Sequence, residues 1–335
     1  MPALPGGDER PRHLPGAEAP RPQRRPDRRC AMNRRRFLLL TACAALPGTA
    51  RAATEEWQGR AMGADVTLRL HGASPVQARG FFAEAARLLA HVENLFSLHR
   101  DSDLVRLNRD GRLRFPAAGM VELLALSDRL HRATGGAFDP TVQPLWLARA
   151  RGEDEATARA LAGWQAVDWS QAEVRLTRPG MALTFNGLAQ GWAADRLAEA
   201  AARHDLAELL IDAGEIRALG VRDWRVGLAD AAGREHRRIR LRDRAVATSS
   251  PGGTLIGPHG LPHIVAPGGG VPLWDTISVS ADSAALADGL STALCLMPPK
   301  AACAAMARLP GCRIELAIAA QDAEFPDKMS SFCFT

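Results

Sequence analysis

The chain has 335 residues, and 47% of them are hydrophobic, which is enough to build a sizeable buried core. The formal net charge is +5, but residues 1–52 hold 11 Lys/Arg and 4 Asp/Glu, which leaves 31 basic against 33 acidic residues in the remainder. Because that remainder carries about −2 charges by simple counting, the positive total does not indicate nucleic-acid binding, and we expect no nucleic-acid partner.

The N-terminal segment is typical of an export signal. Residues 1–31 are rich in Pro and Arg without apolar periodicity, so we expect a non-native or disordered extension, with Met32 as the natural start. In "MNRRRFLLLTACAALPGTARA", residues 32–52, two arginines precede an apolar run and a small-residue cleavage site. This is the pattern of a twin-arginine signal, so we expect cleavage after Ala52 and a periplasmic mature chain.

Two other interpretations of this segment are weaker. The apolar run, residues 37–46, is too short to span a bilayer, which argues against a membrane anchor. A lipoprotein box that ends at Cys43 is less favoured, because it would leave a very short apolar region before the cysteine. We expect residues 53–335 to form a single domain without a transmembrane segment.

The mature chain keeps four cysteines whose pairing stays open at this point. An oxidising compartment would permit disulfides, but no CxxC or metal-ligand spacing occurs. A buried free thiol is an equal alternative for each of Cys295, Cys303, Cys312 and Cys333.

Helix-like and strand-like stretches alternate along the mature chain. Ser74 and Pro75 form the cap and first turn of a predicted helix, on one face of which apolar residues, among them Leu88, recur through Leu95. A second helix is predicted over residues 120–134. The stretches "DWRVGLAD", "HRRIRLRD" and "TISVSAD" predict strands. Strands joined by short turns, with helices grouped between them, favour an α+β domain over a doubly wound sheet.

The stretch "ISVSADSAALADGLSTALCLM" predicts a strand followed by a helix whose leucines face the core. Asp288 and Thr292 are four residues apart, so their oxygens lie on one side of this helix, away from the leucines. A carboxylate and a hydroxyl suit a hard cation such as Mg²⁺, which prefers oxygen ligands. The same spacing is common on solvated helix faces, so the pair alone does not distinguish a metal site from a solvated face.

The stretch "LTFNGLAQGWAAD" predicts a strand-to-helix turn. Asn186 can cap a helix that runs through Trp192, while Gly187 and Gly191 expose the backbone to a ligand. Amides at a helix start suit a phosphate, and carbonyls just before it suit a cation. The alternative is an ordinary turn packed closely against its neighbour.

Two loops contain further candidate residues. "GGAFDPTVQPLW" interrupts the periodic pattern around Phe138 and Asp139, and loops of this kind often carry function. In "HIVAP", His263 could move a proton or contact a phosphate near neutral pH, although a purely structural histidine is the default.

The order of the motifs is more specific than any one of them. The segments occur along the chain as "RAMGADVTLRL", "FSLHRDSDLVRLN", "GGAFDPTV", "LTFNGLAQGWAAD", "LLIDAGEIRALG", "DWRVGLAD", "AVATSS", "HIVAP" and "ADGLSTAL". In this order they resemble the ApbE family of FAD:protein FMN transferases over about residues 57–333. The resemblance implies a tetrahydrobiopterin-fold-like α+β core, built on a mostly antiparallel sheet with packed helices.

The resemblance also implies a reaction and its catalytic centre. Enzymes of this family use Mg²⁺ to split FAD, attach FMN to a Thr or Ser of an acceptor protein, and release AMP. Asp288 and Thr292 match the side-chain metal ligands, and Gly187 matches a residue that binds the metal through its carbonyl. His263 matches a histidine that we expect to assist attack by the acceptor hydroxyl, which makes His263 and Asp288 the implied catalytic residues.

The implied flavin contacts depart from the family pattern at three positions. His99 stands where an aromatic residue is usual, and its ring can still stack with less area. Thr184 replaces an aspartate and Gln190 replaces a lysine or glutamate, and both changes remove charge beside the adenosine half. The full implied set is Met62, His99, Ala137, Phe138, Asp139, Thr184, Gln190 and His263.

The "NGLAQG" form of the turn, together with the export signal, is similar to a NosX-like subgroup linked to nitrous oxide respiration. That resemblance implies a NosR-type periplasmic acceptor domain, with Rnf-type acceptors as an alternative. Two other functions stay open, namely a periplasmic FAD carrier and an enzyme that hydrolyses FAD to FMN and AMP. The Asp288–Thr292 pair argues against a pure carrier, because FAD can be bound without a metal site.

Overall fold

The structure is a computed structural model that describes residues 54–321 and 323. The predicted extension (residues 1–31) and export signal (residues 32–52), together with Cys43 and Cys333, lie outside the described residues. Among the residues that are described, no helix is long and apolar enough to cross a membrane.

Helices and strands alternate along the chain. The helices are α1 (Pro75–Phe96), α2 (Asp103–Asp110), α3 (Ala118–Ala133), α4 (Gln143–Arg151), α5 (Glu155–Ala160), α6 (Ala189–Arg203), α7 (Ala284–Leu294) and α8 (Pro299–Ala307). The strands are β1 (Thr54–Ala61), β2 (Ala64–His71), β3 (Arg112–Arg114), β4 (Val167–Trp169), β5 (Glu173–Leu176), β6 (Leu209–Asp212), β7 (Ile216–Leu219), β8 (Trp224–Ala229), β9 (Glu235–Leu241), β10 (Ala245–Ser249), β11 (Leu255–Ile256), β12 (Leu261–Pro262), β13 (Trp274–Ala281) and β14 (Arg313–Ala319).

A seven-stranded sheet organises the fold, in the order β1-β2-β6-β7-β10-β13-β14. Every neighbouring pair in it is antiparallel, which confirms the predicted α+β class with a mostly antiparallel sheet. Smaller sheets are formed by β3-β5-β4, β8-β9 and β11-β12. Strands β8, β9 and β13 coincide with the three stretches predicted from alternation.

The two faces of the large sheet bury different partners, because successive side chains of a strand point to opposite faces. On one face, Leu209 and Ile211 of β6 join the main core with α1, α3, α6 and α7. On the other face, Leu210 of β6 and Val246 of β10 pack against Val226 and Leu228 of the β8–β9 hairpin. Helices α6 and α7 therefore lie on the sheet face opposite to this hairpin.

Helix α1 begins where the sequence predicts. Ser74 and Gln77 form a capping box, and Pro75 occupies the first turn. The buried face differs by one residue from our prediction, since Leu89 is buried and Leu88 is only half-buried. The second predicted helix is α3, and it begins two residues earlier than expected.

The described cysteines differ in state. Cys303 is disulfide-bonded, whereas Cys295 and Cys312 are free thiols. Burial raises the pKa of both free thiols, so each stays protonated at neutral pH.

Asp230 closes the turn between β8 and β9. Its carboxylate accepts hydrogen bonds from Nε2 of His236 at 2.7 Å and from the amides of Arg234 and Ala232, each at 3.0 Å. These bonds, the one from His236 foremost, lower the pKa of Asp230 from 3.8 to about 2. The ionised carboxylate therefore stabilises the folded turn.

We expect Asp230→Asn to destabilise the protein at neutral pH and to matter less in acid. The folded-state pKa lies below the unfolded one, so the stabilisation is complete above about pH 5 and is lost as the pH falls toward about 2. Urea unfolding of both proteins between pH 7 and pH 3 measures this. A difference in unfolding free energy that does not change with pH would contradict it.

Candidate active site

Helices α6 and α7 cross at very short distance. A Cβ added at Gly191 of α6 would lie 2.4 Å from the carbonyl oxygen of Ala284 in α7. Asp195, one turn further along α6, accepts hydrogen bonds from the amides of Ala284 at 2.8 Å and Ala285 at 3.0 Å. The carboxylate also accepts from the hydroxyl of Ser283, the N-cap of α7, at 2.7 Å. A residue of α6 therefore caps α7 and sets its position.

This crossing brings the three predicted metal ligands together. Oδ2 of Asp288 accepts a hydrogen bond from the amide of Gly191 at 3.4 Å. A Cβ added at Gly187 would lie 3.0 Å from Oγ1 of Thr292, so the turn before α6 lies against the same part of α7. The sequence predicts Asp288 on the side of α7 away from its leucines, and that side is buried as well, since Asp288 is only 4% exposed. Helix α7 is covered on almost every side, so its leucine stripe does not define its only buried face.

The chemistry of these groups fits Mg²⁺. A carboxylate, a hydroxyl and a backbone carbonyl are hard oxygen donors, and Mg²⁺ usually keeps several waters or substrate oxygens beside a few protein ligands. Within the described part of the chain, no three His, Cys, Asp or Glu side chains come together as a group that could hold a metal ion by itself. A site with a single carboxylate is therefore open to phosphate oxygens as further ligands. The role of each ligand stays a prediction.

The helix after this turn is not capped as the sequence suggested. Helix α6 starts at Ala189, and its N-cap residue Leu188 has no side-chain hydrogen bond. Asn186 is exposed, and its backbone N–H donates to Oγ1 of Thr184 at 3.2 Å. The backbone amides of Leu188 and Ala189 donate to the carbonyl of Phe185 instead. A backbone turn, and not the side chain of Asn186, therefore caps the start of α6.

Gln190 links the start of α6 to the turn between β1 and β2. Its Nε2 donates to the carbonyl of Met62 at 3.4 Å, and the amide of Met62 donates to Oε1 of Glu93 at 3.1 Å. Met62 has a positive φ of 50°, which is uncommon for a residue with a side chain. Gly214 lies on the other side of Gln190, because a Cβ there would be 3.0 Å from Oε1 of Gln190. Neither Glu93 nor Gly214 was among the predicted residues.

The predicted "AFD" loop, residues 137–139, lies beside α7. Gly289 follows Asp288 in α7, and a Cβ added there would lie 3.4 Å from Cε2 of the buried Phe138. Asp139 is bound within the protein, since its carboxylate accepts from the amide and hydroxyl of Thr141 at 2.8 and 2.6 Å. Asp139 therefore shapes this loop, and a direct contact with a flavin stays a prediction.

Two predicted flavin contacts lie at the edges of this region. The amide of Thr184 donates to the carbonyl of Pro140 at 2.9 Å, which joins the turn before α6 to the loop that contains Asp139. His99 is exposed between α1 and α2, and its amide donates to Oγ of Ser97 at 3.2 Å. Among the described residues, no hydrogen bond joins His99 to α6 or α7.

His263 follows β12 directly and is held by two backbone carbonyls. Its Nδ1 lies 3.1 Å from the oxygen of Pro251 and 3.2 Å from that of Thr254. Because carbonyls only accept, Nδ1 carries a proton, and Nε2 is the nitrogen of the neutral ring that can take one up. Strand β10 ends two residues before Pro251 and contacts α7, since Oγ of Ser249 lies 3.3 Å from Oγ1 of Thr292.

A family model described as "ApbE family" matches residues 62–315, which is most of the chain and includes these segments. The chain belongs to the ApbE family. Membership accounts for the shared order of motifs from Met62 to the β13–α7 region.

Known proteins similar to this ApbE-family chain carry matching names. It is 28% identical over 280 residues to "FAD:protein FMN transferase" of Treponema pallidum, covering 68% of this chain and 76% of the relative. The crystal structure of the Pseudomonas stutzeri flavinyl transferase ApbE has 25% identity and a TM-score of 0.68, covering 78% of this chain and 90% of that one. The Vibrio cholerae flavin transferase ApbE has 24% identity and a TM-score of 0.70, covering 81% and 95%, and it supports the fold alone.

Proposed function

We propose that this chain is an FAD:protein FMN transferase that attaches FMN from FAD to a Thr or Ser hydroxyl of an acceptor protein and releases AMP. The observation that carries the proposal is the buried Asp288 beside Thr292 and the turn at Gly187. The names of the curated relatives support the same activity. A bound Mg²⁺ would neutralise charge on the pyrophosphate, which is the main requirement of phosphoryl transfer.

The chemistry exchanges a phosphoanhydride bond of FAD for a phosphoester bond to the acceptor. The acceptor oxygen forms a bond to the phosphorus of the FMN half, and the bond from that phosphorus to the oxygen bridging to AMP breaks. AMP leaves with the bridging oxygen, and the hydroxyl proton passes to a base. We assign that role to Nε2 of His263, because its Nδ1 is already committed to the carbonyls of Pro251 and Thr254.

We propose that the flavin half of FAD lies near Met62 and residues 137–139, with Gln190 and Thr184 toward the adenosine half. Hydrogen bonds support a common location, since Gln190 contacts Met62 and Thr184 contacts Pro140 beside Asp139. Both polar side chains are neutral, so we expect hydrogen bonds rather than ion pairs at the adenosine half.

We expect His263→Ala to slow FMN transfer by about 100-fold or more, the contribution of a positioned general base. FAD affinity should change little, because the ring acts on the acceptor hydroxyl. His259→Ala is the matched control, since His259 is exposed in the turn between β11 and β12. Transfer rates and FAD titrations of both variants test this. An unchanged transfer rate in His263→Ala would remove the histidine from the mechanism.

We further propose a periplasmic location through the twin-arginine signal and an acceptor of the NosR type, with Rnf-type acceptors second. The support is the segment at residues 32–52 and the "NGLAQG" form of the turn before α6.

The deciding experiment mixes the protein with FAD, Mg²⁺ and a NosR-type periplasmic domain, and measures acceptor mass and in-gel flavin fluorescence. An FMN-sized mass gain supports the transferase. AMP release without it indicates the hydrolase, and FAD binding without AMP release indicates the carrier.

A further inference from the structure

The hydroxyl groups of two buried serines form a hydrogen-bonded chain with the hydroxyl of Thr292, one of the predicted metal ligands. Oγ of Ser249, the last residue of β10, lies 2.8 Å from Oγ of Ser291 and 3.3 Å from Oγ1 of Thr292. Oγ of Ser291 in turn donates to the backbone carbonyl of Asp288 at 3.0 Å. Ser291 is fully buried and Ser249 is 9% exposed, so bulk water hardly competes for these bonds.

The direction of this chain follows from its carbonyl end. Each hydroxyl has one proton to donate, and a carbonyl can only accept. The proton of Ser291 therefore points to Asp288, so Ser291 accepts the proton of Ser249. Ser249 has then no second proton for Thr292 and must accept the proton of Thr292. The lone pairs of Thr292 Oγ1 consequently point away from Ser249.

We propose that Ser249 and Ser291 are positioning residues that hold the proton of Thr292 inside the protein, so that Oγ1 presents a lone pair to Mg²⁺. This inference rests on the proposed function, because it takes Thr292 as a metal ligand. If Thr292 instead accepted a proton from Ser249, its own proton would point toward the cation and weaken the bond between Oγ1 and Mg²⁺. Substitution of a group that orients a metal ligand commonly weakens metal affinity by about tenfold or more.

The two serines make different contacts, because Ser249 lies against Thr292 and Ser291 lies against Ser249 and the carbonyl of Asp288. Ser249→Ala removes the acceptor for the proton of Thr292. Ser291→Ala leaves Thr292 and Ser249 in place but frees the proton of Ser249, which can then turn to Oγ1 of Thr292. Cation binding should therefore weaken in Ser291→Ala, although the lost hydroxyl bonds none of the predicted metal-binding atoms.

The experiment measures Mn²⁺ affinity by the EPR signal of the free ion, with FAD present and no acceptor. We expect about tenfold weaker Mn²⁺ binding in Ser249→Ala and in Ser291→Ala. Ser249→Thr keeps the hydroxyl, so its Mn²⁺ affinity should be that of the unaltered protein. Ser278→Ala is the matched control, because Ser278 is fully buried and its Oγ also lies 2.8 Å from another hydroxyl, that of Thr248. Its Mn²⁺ affinity should equal that of the unaltered protein. Thermal unfolding of every variant measures the loss of stability separately.

Each contrary outcome has one meaning. If Ser291→Ala binds Mn²⁺ normally while Asp288→Asn does not, the positioning role is overturned and the metal-dependent function stands. If Ser278→Ala weakens binding as much as Ser291→Ala, the effect belongs to any lost buried hydroxyl and the inference is overturned. If the unaltered protein binds no Mn²⁺, the inference and the proposed metal dependence both fail.

Discussion

Asp288→Asn is expected to lower the rate of FMN transfer by about 1,000-fold, the equivalent of several kcal/mol of transition-state stabilisation by a divalent cation. Asparagine keeps the shape of the side chain and can still accept the hydrogen bond from Gly191, so α7 should remain in place. The change removes the only carboxylate among the three predicted ligands. Transfer to an acceptor domain, AMP release from FAD and Mn²⁺ affinity should therefore fall together.

Asp282→Asn is the control for this substitution. Asp282 lies just before α7, but its side chain is 78% exposed and pairs with Arg244 at the surface. Its transfer rate should be unchanged, because exposed ion pairs contribute little. Full activity of Asp288→Asn at limiting Mg²⁺ would rule out the metal role of that carboxylate, whatever the variant's stability.

Local sequence patterns predicted the elements that local forces determine. Ser74 as the cap and Pro75 in the first turn are local signals for the start of α1, and the Asp288–Thr292 spacing follows from one turn of helix. Both are visible without knowledge of the fold. The same reasoning failed for Asn186, because a favourable cap residue was present but the backbone of residues 185–189 formed the turn by itself.

Contacts between distant segments could not be predicted in the same way. Ser249 and Ser291 are 42 residues apart, and Gln190 and Met62 are 128 apart. Each pair meets only because the antiparallel sheet places β10 against β13 and β2 against β6, with α6 and α7 above them. The burial of Asp288 has the same origin, since the stripe of leucines on α7 does not reveal how closely α6 approaches.

Gly191→Ala should test the close approach of α6 to α7, and we expect it to have the largest effect on stability. The new Cβ would lie 2.4 Å from the carbonyl oxygen of Ala284, and that backbone is held by the two amide bonds to Asp195. Helix α7 can move away only by breaking those bonds. We expect a loss of about 3 kcal/mol in unfolding free energy, at the upper end for overpacking. We also expect weaker Mn²⁺ binding, because the shift separates Thr292 from Gly187.

The same substitution in α1 should have the opposite sign. Gly80 lies inside α1, and a Cβ there would meet only the ring of His204 at an ordinary contact distance of 3.4 Å. Alanine should therefore stabilise the protein by about 0.5–1 kcal/mol through the lower entropy cost of ordering its backbone. Urea unfolding of both variants measures the contrast. Equal midpoints for Gly191→Ala and the unaltered protein would mean that α6 and α7 are not in backbone contact, and the geometry that joins Gly187 to Thr292 would lose its main support.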